Sequence, residues 1–300
     1  MNTTVEAVPV PVVPATESRG RLADYVTLTK PGITVMVAIT AAVGFYVASH
    51  GSFDWKIFLH MIGGTLLSSA GAAAFNMLME RKLDAKMDRT KGRPLPAGRM
   101  APAEAAVFGA ALCVAGLAWL AVAVNPLTAA LSAATMVSYL ALYTPLKTKS
   151  SVCTLVGAVP GALPPVMGWA AARGSVEVGA WVLFLILFFW QLPHFLALAW
   201  MYREDYARAG FPMLSVEEPT GASAGRQVVL QTLALLVVSL LPFGFGMAGD
   251  GYLVAALVLG AGFLGFGVAF ATERSRDRAS RLFLASITYL PLLLGALALL

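Results

Sequence analysis

Charged side chains are scarce in this sequence of 300 residues, because Asp, Glu, Lys and Arg together make up 12% of it while hydrophobic residues make up 58%. Soluble domains carry about 25% charged and about 45 to 50% apolar residues. The low charge and a mean hydropathy of +0.76 therefore exclude an ordinary soluble domain. We predict an integral membrane protein.

Cysteine is nearly absent as well. Cys113 and Cys153 lie in or beside apolar runs, at a spacing that matches neither a metal site nor a disulfide framework. No GxxxxGK[ST] motif is present. The sequence thus gives no indication of a disulfide-stapled domain or of a P-loop that binds a soluble nucleotide.

The apolar residues that are present fall in nine runs, each about 18 to 24 residues long, which is enough to cross a hydrocarbon core of roughly 30 Å as a helix. The runs are 32–49, 57–79, 102–124, 126–144, 152–172, 178–201, 227–248, 251–272 and 282–300. We therefore predict an all-α integral membrane protein with nine transmembrane helices, and the runs exclude a transmembrane β-barrel.

The basic residues are distributed unevenly between these runs. Of the 21 Lys and Arg, 19 fall in alternate segments that begin with the N-terminal one, and 2 fall in the other segments. Cytoplasmic loops carry an excess of Lys and Arg. The pattern predicts that the N-terminus is cytoplasmic and that the C-terminus is outside.

The first segment, residues 1–24, is rich in Pro, Val and Thr and lacks the apolar core of a signal peptide. Glu6 and Glu17 argue against a transit peptide, which favours a bacterial plasma membrane. We expect a disordered tail over 1–24 and one polytopic membrane domain over 25–300.

Four polar side chains recur every four residues after the second run: Asn76, Glu80, Asp84 and Asp88. On a continuing helix each lies about 6 Å above the last and is rotated by about 40°, so all four share one broad face. Like-charged carboxylates at this spacing repel one another unless a cation lies between them. Mg²⁺ is typically held by one or two carboxylates together with substrate phosphates. The spacing therefore predicts a site for Mg²⁺ and a polyphosphate.

Basic residues follow at once, at Arg89, Lys91 and Arg93, before Pro94 and Pro96, which we expect to stop the helix. Arg binds phosphate oxygens in bidentate fashion and Lys binds them as a point charge. The alternative is a solvated helix end with ion pairs four residues apart and basic membrane anchors. That alternative explains the three basic residues better than it explains the carboxylates spaced four residues apart.

Two further polar segments are predicted at the same membrane surface. One contains Tyr143 and Lys147, and the other contains Arg203, Glu204 and Asp205. The acid pair is a candidate for a second metal ion. Lys147 and Arg203 are candidates for binding phosphate, and Tyr143 for a hydrogen bond to a phosphate or leaving oxygen. Taken singly, Lys147 is typical of a snorkelling anchor and the acid pair of a solvated loop.

His194 lies within the sixth run, one residue after Pro193. Polar side chains at membrane depth are expensive and functional by default. A substrate contact and a hydrogen bond to another helix both fit this position. His60, early in the second run, has a weaker case and is placed at the outer interface.

These motifs resemble those of the UbiA superfamily of intramembrane prenyltransferases, and in particular its haem branch, the protohaem IX farnesyltransferases or haem O synthases. The resemblance covers nearly all of the chain beyond the tail and is carried by an NxxxDxxxD-type motif read as Asn76, Glu80 and Asp84, then by Asp88 with RTKGRP, YTPLK, VGAVPGALPPVMGW, and WQLPHFLALAW running into REDYARAGFPML. The last two segments are features of the haem branch. The sequence departs from the family at Glu80, where the general motif has Asp, and at Lys149, where relatives often place an Arg.

The resemblance implies transfer of a farnesyl group from farnesyl diphosphate to a vinyl group of protohaem IX (haem B), with addition of water, giving haem O and diphosphate. Mg²⁺ is the implied cofactor, and haem B is a substrate. The implied catalytic residues are Asn76, Glu80, Asp84, Asp88, Tyr143 and Lys147. The implied metal ligands are Asn76, Glu80, Asp84, Asp88, Glu204 and Asp205. The implied diphosphate-binding residues are Arg89, Lys91, Arg93, Lys147 and Arg203.

His194 is then expected to ligate or orient the haem, which enters from the bilayer. The pathway implies haem A synthase or terminal oxidase assembly as a partner, with no role for nucleic acid. The lack of a transit peptide and the distribution of basic residues predict a bacterial inner membrane protein whose active site is on the cytoplasmic side.

Three other functions stay open at this point. A UbiA-type enzyme with a quinone precursor or another tetrapyrrole as acceptor would share the acidic motifs. A transporter would also contain polar residues and broken helices in the membrane, but near the midplane rather than at one interface. A structural assembly factor would release no diphosphate.

Overall fold

The computed structural model describes residues 20–49 and 51–299, and the regular elements of this part of the chain are all helical. In chain order they are α1 (Arg21–Leu28), α2 (Pro31–Ser49), α3 (Trp55–Asp84), α4 (Pro102–Ala123), α5 (Pro126–Val137), a π-helical segment (Ser138–Tyr143), α6 (Thr144–Leu146), α7 (Cys153–Ala162), α8 (Pro164–Arg173), α9 (Val178–Met201), α10 (Arg203–Ala209), α11 (Leu214–Glu217), α12 (Ala222–Val238), α13 (Leu241–Gly244), α14 (Asp250–Thr272) and α15 (Arg276–Leu299).

Within those described ranges, nine helical stretches are long and apolar enough to cross a membrane, which confirms the predicted number. They are Pro31–Ser49, Trp55–Asp84, Pro102–Ala123, Pro126–Leu146, Cys153–Arg173, Val178–Met201, Ala222–Gly244, Asp250–Thr272 and Arg276–Leu299. The seventh and ninth begin a turn or more before their apolar runs. Hydropathy marks the part of a helix that matches lipid, whereas the backbone hydrogen bonds continue into polar turns at the interface.

The first described residues belong to α1. Of the disordered tail predicted for 1–24, residues 1–19 lie outside the described residues. Residues 21–24 are helical instead of disordered, because α1 begins at Arg21. Leu28 at the end of α1 is fully buried in a cluster with Met77 and Leu95. Helix α1, which begins within the predicted tail, is therefore packed against the membrane bundle.

Close helix packing fixes the position of α3. A Cβ atom added to Gly71 would lie 2.5 Å from the Sγ of Cys113, and one added to Gly116 would lie 2.5 Å from the backbone nitrogen of Ser68. Small residues let helix backbones approach closely in membranes. The α3–α4 pair is therefore held at short range, and α3 presents its polar end in a fixed orientation.

The end of α3 corrects one prediction. The helix ends at Asp84, so Asp88 is in the following loop and does not continue the helical face. The Oγ1 of Thr90 donates a hydrogen bond to the backbone oxygen of Asp84 at 2.9 Å, and this loop folds back over the helix end. Pro94 and Pro96 lie well beyond that end and do not stop the helix.

The fourth span contains the π-helical segment Ser138–Tyr143, which ends two residues before Pro145. Proline removes a backbone donor and clashes with the carbonyl four residues earlier, and a wider turn relieves both effects. The Oγ1 of Thr144 accordingly donates to the backbone oxygen of Tyr139, at 2.8 Å. Such π segments are frequent at functional sites.

Candidate active site

Three polar side chains on the last turns of α3 face into the bundle. Asn76, Glu80 and Asp84 are 2%, 5% and 1% exposed. Their four-residue spacing places them on one side of the helix, as the sequence predicted. Buried charges in proteins are paired, and each of these side chains has a cationic partner.

The three cations come from different parts of the chain. The Nζ of Lys30 lies 2.6 Å from the Oδ1 of Asn76. The Nζ of Lys147 lies 3.0 Å from the Oε1 of Glu80. Arg93 completes the set. We call these six residues the central cluster: Lys30, Asn76, Glu80, Asp84, Arg93 and Lys147.

Arg93 engages only one oxygen of its acid. Its Nη1 lies 2.7 Å from the Oδ2 of Asp84. The Oδ1 of Asp84 is buried and accepts no hydrogen bond from any residue in the described ranges. An unpaired buried carboxylate oxygen is costly in isolation. Carboxylate and amide oxygens are the ligands that Mg²⁺ takes from proteins, so Asp84, with Asn76 and Glu80 beside it, fits such an ion.

Lys30 is held in an uncommon backbone conformation. Its φ is 46°, in the left-handed region, and it directly precedes Pro31. Non-glycine residues adopt this conformation rarely, and such strain is concentrated at functional sites. Its pKa is lowered to about 8 by burial and by the neighbouring charges of Arg93 and Lys147.

Tyr143 and Phe211 enclose the side chain of Lys147. Its Nζ lies 4.9 Å from the ring centre of Phe211 and 6.0 Å from that of Tyr143. Burial acts against the charge of Lys147, but Tyr143 and the carboxylate of Glu80 hold its pKa above the ordinary value. Lys147 is therefore a fixed positive charge at the inner edge of the cluster.

The amide nitrogen of Asn76 is held by a hydrogen bond as well. Its Nδ2 donates to the Oγ1 of Thr144 at 3.0 Å, and Thr144 in turn donates to the backbone of Tyr139. The π-helical segment is therefore tied to α3 through a hydrogen-bond chain. Its two tyrosines, Tyr139 and Tyr143, stack with ring centres 5.6 Å apart.

A second, exposed network joins two of the predicted acidic segments. The Nη2 of Arg208 lies 2.6 Å from the Oδ2 of Asp88 and also contacts Asp205. Lys91 pairs with the other oxygen of Asp88, at 2.7 Å. Hydrogen bonding from Lys91 and the charge of Arg208 lower the pKa of Asp88. The loop after α3 and helix α10 therefore meet, as the sequence predicted for these segments.

The remaining predicted residues lie outside the central cluster. Arg89 is stacked over the ring of Tyr202, at 5.4 Å, and Arg203 over that of Trp200, at 4.8 Å. Glu204 is exposed.

The six predicted metal ligands thus do not form one group. No three His, Cys, Asp or Glu side chains of the described chain lie close enough together to hold an ion. Lys and Arg side chains separate the carboxylates instead, because each buried acid attracts its own counter-charge.

His194 lies at the contact between α9 and α15. Its Nδ1 is 2.7 Å from the Oγ of Ser286, and its ring stacks on Phe283. Ser286 donates its one hydroxyl proton to the backbone oxygen of Phe283. With that proton committed, the hydroxyl oxygen of Ser286 can accept from Nδ1 of His194 in the tautomer that carries its proton there.

His60 is placed differently. Its Nδ1 accepts a hydrogen bond from the Nε1 of Trp119, at 3.1 Å. It lies 16 residues before Asn76 on the same helix, a separation of about 24 Å. His60 is therefore remote from the central cluster.

Sequence reasoning missed Lys30, Thr144 and Tyr139. Lys30 was counted among the basic residues that set topology, and the signal that distinguishes it is a Lys-Pro pair directly before the first span. Thr144 is part of the YTPLK motif but carries no charge. The role of Tyr139 depends on the π-helical segment, which the apolar pattern does not reveal.

In the described residues, buried acids and cations meet at one end of a bundle of helices long enough to cross a membrane, an arrangement that can hold an anionic group. Residues 37–290 match the model of the UbiA prenyltransferase family, and the chain belongs to this family.

Curated relatives show which members of this family the chain is similar to. The chain is 47% identical to a protein of Solibacter usitatus over 92% of its own length and 98% of the relative's, and that protein is named protoheme IX farnesyltransferase. It is 44% identical to a protein of the same name from Myxococcus xanthus, over 92% and 94% of the two chains.

Solved structures share the fold at lower sequence identity. A structure described as digeranylgeranylglyceryl phosphate synthase matches with a TM-score of 0.78 and 17% identity, over 92% of this chain and 97% of that one. A UbiA homologue from Archaeoglobus fulgidus, bound to GPP and Mg²⁺, matches with a TM-score of 0.64 and 15% identity, over 92% and 100%. These likenesses support the nine-helix UbiA fold.

Proposed function

We propose that this protein transfers the farnesyl group of farnesyl diphosphate to a vinyl group of protohaem IX, with addition of water, to give haem O and diphosphate. The observation that carries the proposal is the central cluster: three cations lie against a buried acidic helix face at the edge of an apolar bundle. The names of the relatives at 47% and 44% identity support the acceptor.

The cations suit the leaving group of this reaction. When the bond between the allylic carbon and oxygen breaks, the electron pair leaves with the diphosphate, whose charge must be stabilised. Lys30, Arg93 and Lys147 converge from three parts of the chain, so they can contact several phosphate oxygens at once. Arg93 supplies a planar fork, while the two lysines supply point charges.

Mg²⁺ fits the acidic side of the cluster, where Asn76, Glu80 and Asp84 would hold it. When bound there it would neutralise part of the diphosphate charge. The unpaired Oδ1 of Asp84 supports this assignment. Asp88 and Asp205, which Arg208 bridges, are proposed as the second acidic site, with Glu204, Arg89, Lys91 and Arg203 at its exposed rim.

The apolar bundle beyond the cluster would hold the farnesyl chain and exclude water from the allylic cation until the vinyl carbon attacks it. Water then adds to the resulting carbocation next to the porphyrin ring and releases a proton. Tyr143 lies against Lys147 and is proposed to hydrogen-bond the leaving diphosphate.

His194 is proposed to ligate or orient the haem. Metal-binding histidines usually donate their second ring nitrogen to a neighbouring oxygen, which fixes the ring and exposes the other nitrogen. The bond from Nδ1 of His194 to Ser286 matches that arrangement.

We further propose a bacterial inner membrane location with the N-terminus and active site on the cytoplasmic side. Supply of haem O to haem A synthase or to terminal oxidase assembly follows from the proposed product. Cysteine introduced at the exposed Lys149 and, separately, at the exposed Ser175 tests the orientation, because both native cysteines are buried. An impermeant thiol reagent on intact cells should label Ser175→Cys alone, and the reverse result would invert the topology.

The decisive experiment incubates purified protein in detergent with Mg²⁺, farnesyl diphosphate and haem B, followed by mass analysis of the extracted haems. A haem heavier by one farnesyl group and one water supports the proposal when Asp84→Ala abolishes it. Diphosphate release with unmodified haem would indicate another acceptor. If folded protein gives neither the modified haem nor free diphosphate, the assignment as a prenyltransferase is overturned.

A further inference from the structure

Helix α1 carries a buried carboxylate whose partner is far away in sequence. Asp24 is 4% exposed, and Arg99 grips it with two nitrogens: Nη2 lies 2.9 Å from Oδ1, and Nε lies 3.1 and 3.2 Å from the two oxygens. Neither residue belongs to the central cluster. A planar fork on a carboxylate fixes one relative orientation of the two segments.

Arg99 also holds the backbone of the loop that carries Arg93. Its Nη2 donates to the carbonyl oxygen of Gly92 at 3.1 Å. Gly92 directly precedes Arg93, whose own guanidinium contacts Asp84. A continuous chain of contacts therefore runs from α1 through Arg99 to the cation at the end of α3.

The other end of α1 leads directly to a second cation of the cluster. Leu28 is fully buried beside Ala74 and Met77 of α3 and beside Leu95 of the same loop. Two residues later the chain reaches Lys30, which contacts Asn76. One short helix is thus linked to two of the three cations.

We propose that Asp24 and Arg99 are positioning residues of the diphosphate site, which seat α1 on the Gly92–Arg93 turn so that Lys30 and Arg93 face the same acidic surface. This inference rests on the function proposed above. A buried ion pair contributes little net stability compared with apolar side chains of similar size. The Asp24–Arg99 pair is therefore better explained by the alignment of α1 with the Gly92–Arg93 turn than by a gain in stability.

Binding of a non-cleavable farnesyl thiodiphosphate to the full chain in detergent, with Mg²⁺ present, tests the proposal. Asp24→Asn preserves size and removes the charge, and Arg99→Lys preserves the charge and removes the fork. Both should weaken binding by about tenfold, the loss of one charge-assisted contact, and should raise KM more than they lower kcat. Arg21→Gln is the matched control, since Arg21 also pairs from α1, but at an exposed position with Glu104.

Exchange of the pair, Asp24→Arg with Arg99→Asp, separates positioning from fold stability. It restores opposite charges, but Asp at position 99 has no donor for the carbonyl of Gly92. We expect the exchanged pair to restore the unfolding temperature that the single substitutions lower. The affinity for the farnesyl thiodiphosphate should stay reduced. Recovery of both, or Asp24→Asn with wild-type affinity, would overturn the positioning role. A wild-type protein that does not bind the probe would instead overturn the proposed function.

Discussion

Arg93 and Asp84 share an ion pair that leaves one carboxylate oxygen unpaired. The Nη1 of Arg93 lies 2.7 Å from Oδ2, whereas Oδ1 is buried without a partner among the described residues. Arg93 therefore fixes the orientation of the Asp84 carboxylate while one of its oxygens remains able to accept a hydrogen bond or bind a cation. An added cation has an oxygen available in a position that is already fixed.

Asp84→Asn should abolish most activity with little change in shape, because the amide keeps the size of the side chain and removes its charge. We expect kcat to fall on the order of 100-fold, as for loss of one preorganised electrostatic contact. Diphosphate release measures the effect. Asp277→Asn is the matched control, because Asp277 pairs with Arg281 at an exposed position outside the proposed site, and it should lose less than about tenfold. An equal loss in the two variants would contradict a specific role for Asp84.

Lys30→Gln should weaken the binding of farnesyl diphosphate, because it removes a cation that contacts Asn76 in the central cluster. The expected increase in KM is about tenfold, the value of one charge-assisted contact. Lys149→Gln removes an exposed lysine and should leave KM unchanged. Equal effects of the two substitutions on initial rates would show that only net charge matters.

Gly157→Ala should displace Tyr143. The added Cβ would lie 2.6 Å from Cδ2 of that ring, so the ring must move from its position beside Lys147. Overpacking of this kind costs about 1 to 3 kcal/mol. We expect reduced activity and a lowered unfolding temperature. Gly262→Ala, at a glycine with open space around it, should change neither property, and wild-type activity in Gly157→Ala would remove Tyr143 from the site.

His194→Phe separates haem binding from helix packing. The phenyl ring can keep the stacking on Phe283 while both ring nitrogens are lost. If His194 contacts the haem, this variant should bind haem B more weakly, with a changed absorption spectrum. Ser286→Ala removes the hydrogen bond but leaves the imidazole, and should retain haem binding. Unchanged haem affinity in His194→Phe, in folded protein, contradicts the proposed contact.

Arg208→Gln should have a small effect on stability despite breaking two ion pairs. Arg208 and Asp88 are more than half exposed, and Asp205, although it is 13% exposed, pairs with the same exposed guanidinium, so water and salt screen these charges. Exposed pairs contribute about 0 to 1 kcal/mol. Thermal unfolding at low and high salt should show a difference between variant and wild type that shrinks with added salt. A difference that persists in high salt would indicate a structural role for this bridge.

The sequence predicted the fold and the acidic helix face well, because both depend on local patterns. Long apolar runs determine the number of spans, and a spacing of four residues places Asn76, Glu80 and Asp84 on one face. The same spacing extends the predicted face to Asp88, although the helical backbone ends at Asp84. The hydrogen bond from Thr90 to the backbone of Asp84, which accompanies the end of the helix, is not indicated by the four-residue spacing.

Pairing between distant segments was less predictable. Apart from the Lys-Pro pair, nothing near Lys30 in the sequence distinguishes a cation that reaches Asn76 from one that anchors a membrane helix. Arg89, Lys91 and Arg93 lie within five residues, yet only Arg93 reaches the central cluster. The fold of the loop selects among them, and this loop is held by Arg99 and α1.

The ion pair between Glu80 and Lys147 spans 67 residues, and this separation affects how the protein is assembled. A ribosome synthesises α3 and α4 well before it reaches Lys147, so Glu80 enters the membrane edge ahead of its partner. Lys30 has been synthesised by then and is fixed at the neighbouring Asn76 in the final structure. Lys30, the first of the three cluster cations in the sequence, is thus available to accompany the acidic helix during insertion, before Lys147 has been synthesised.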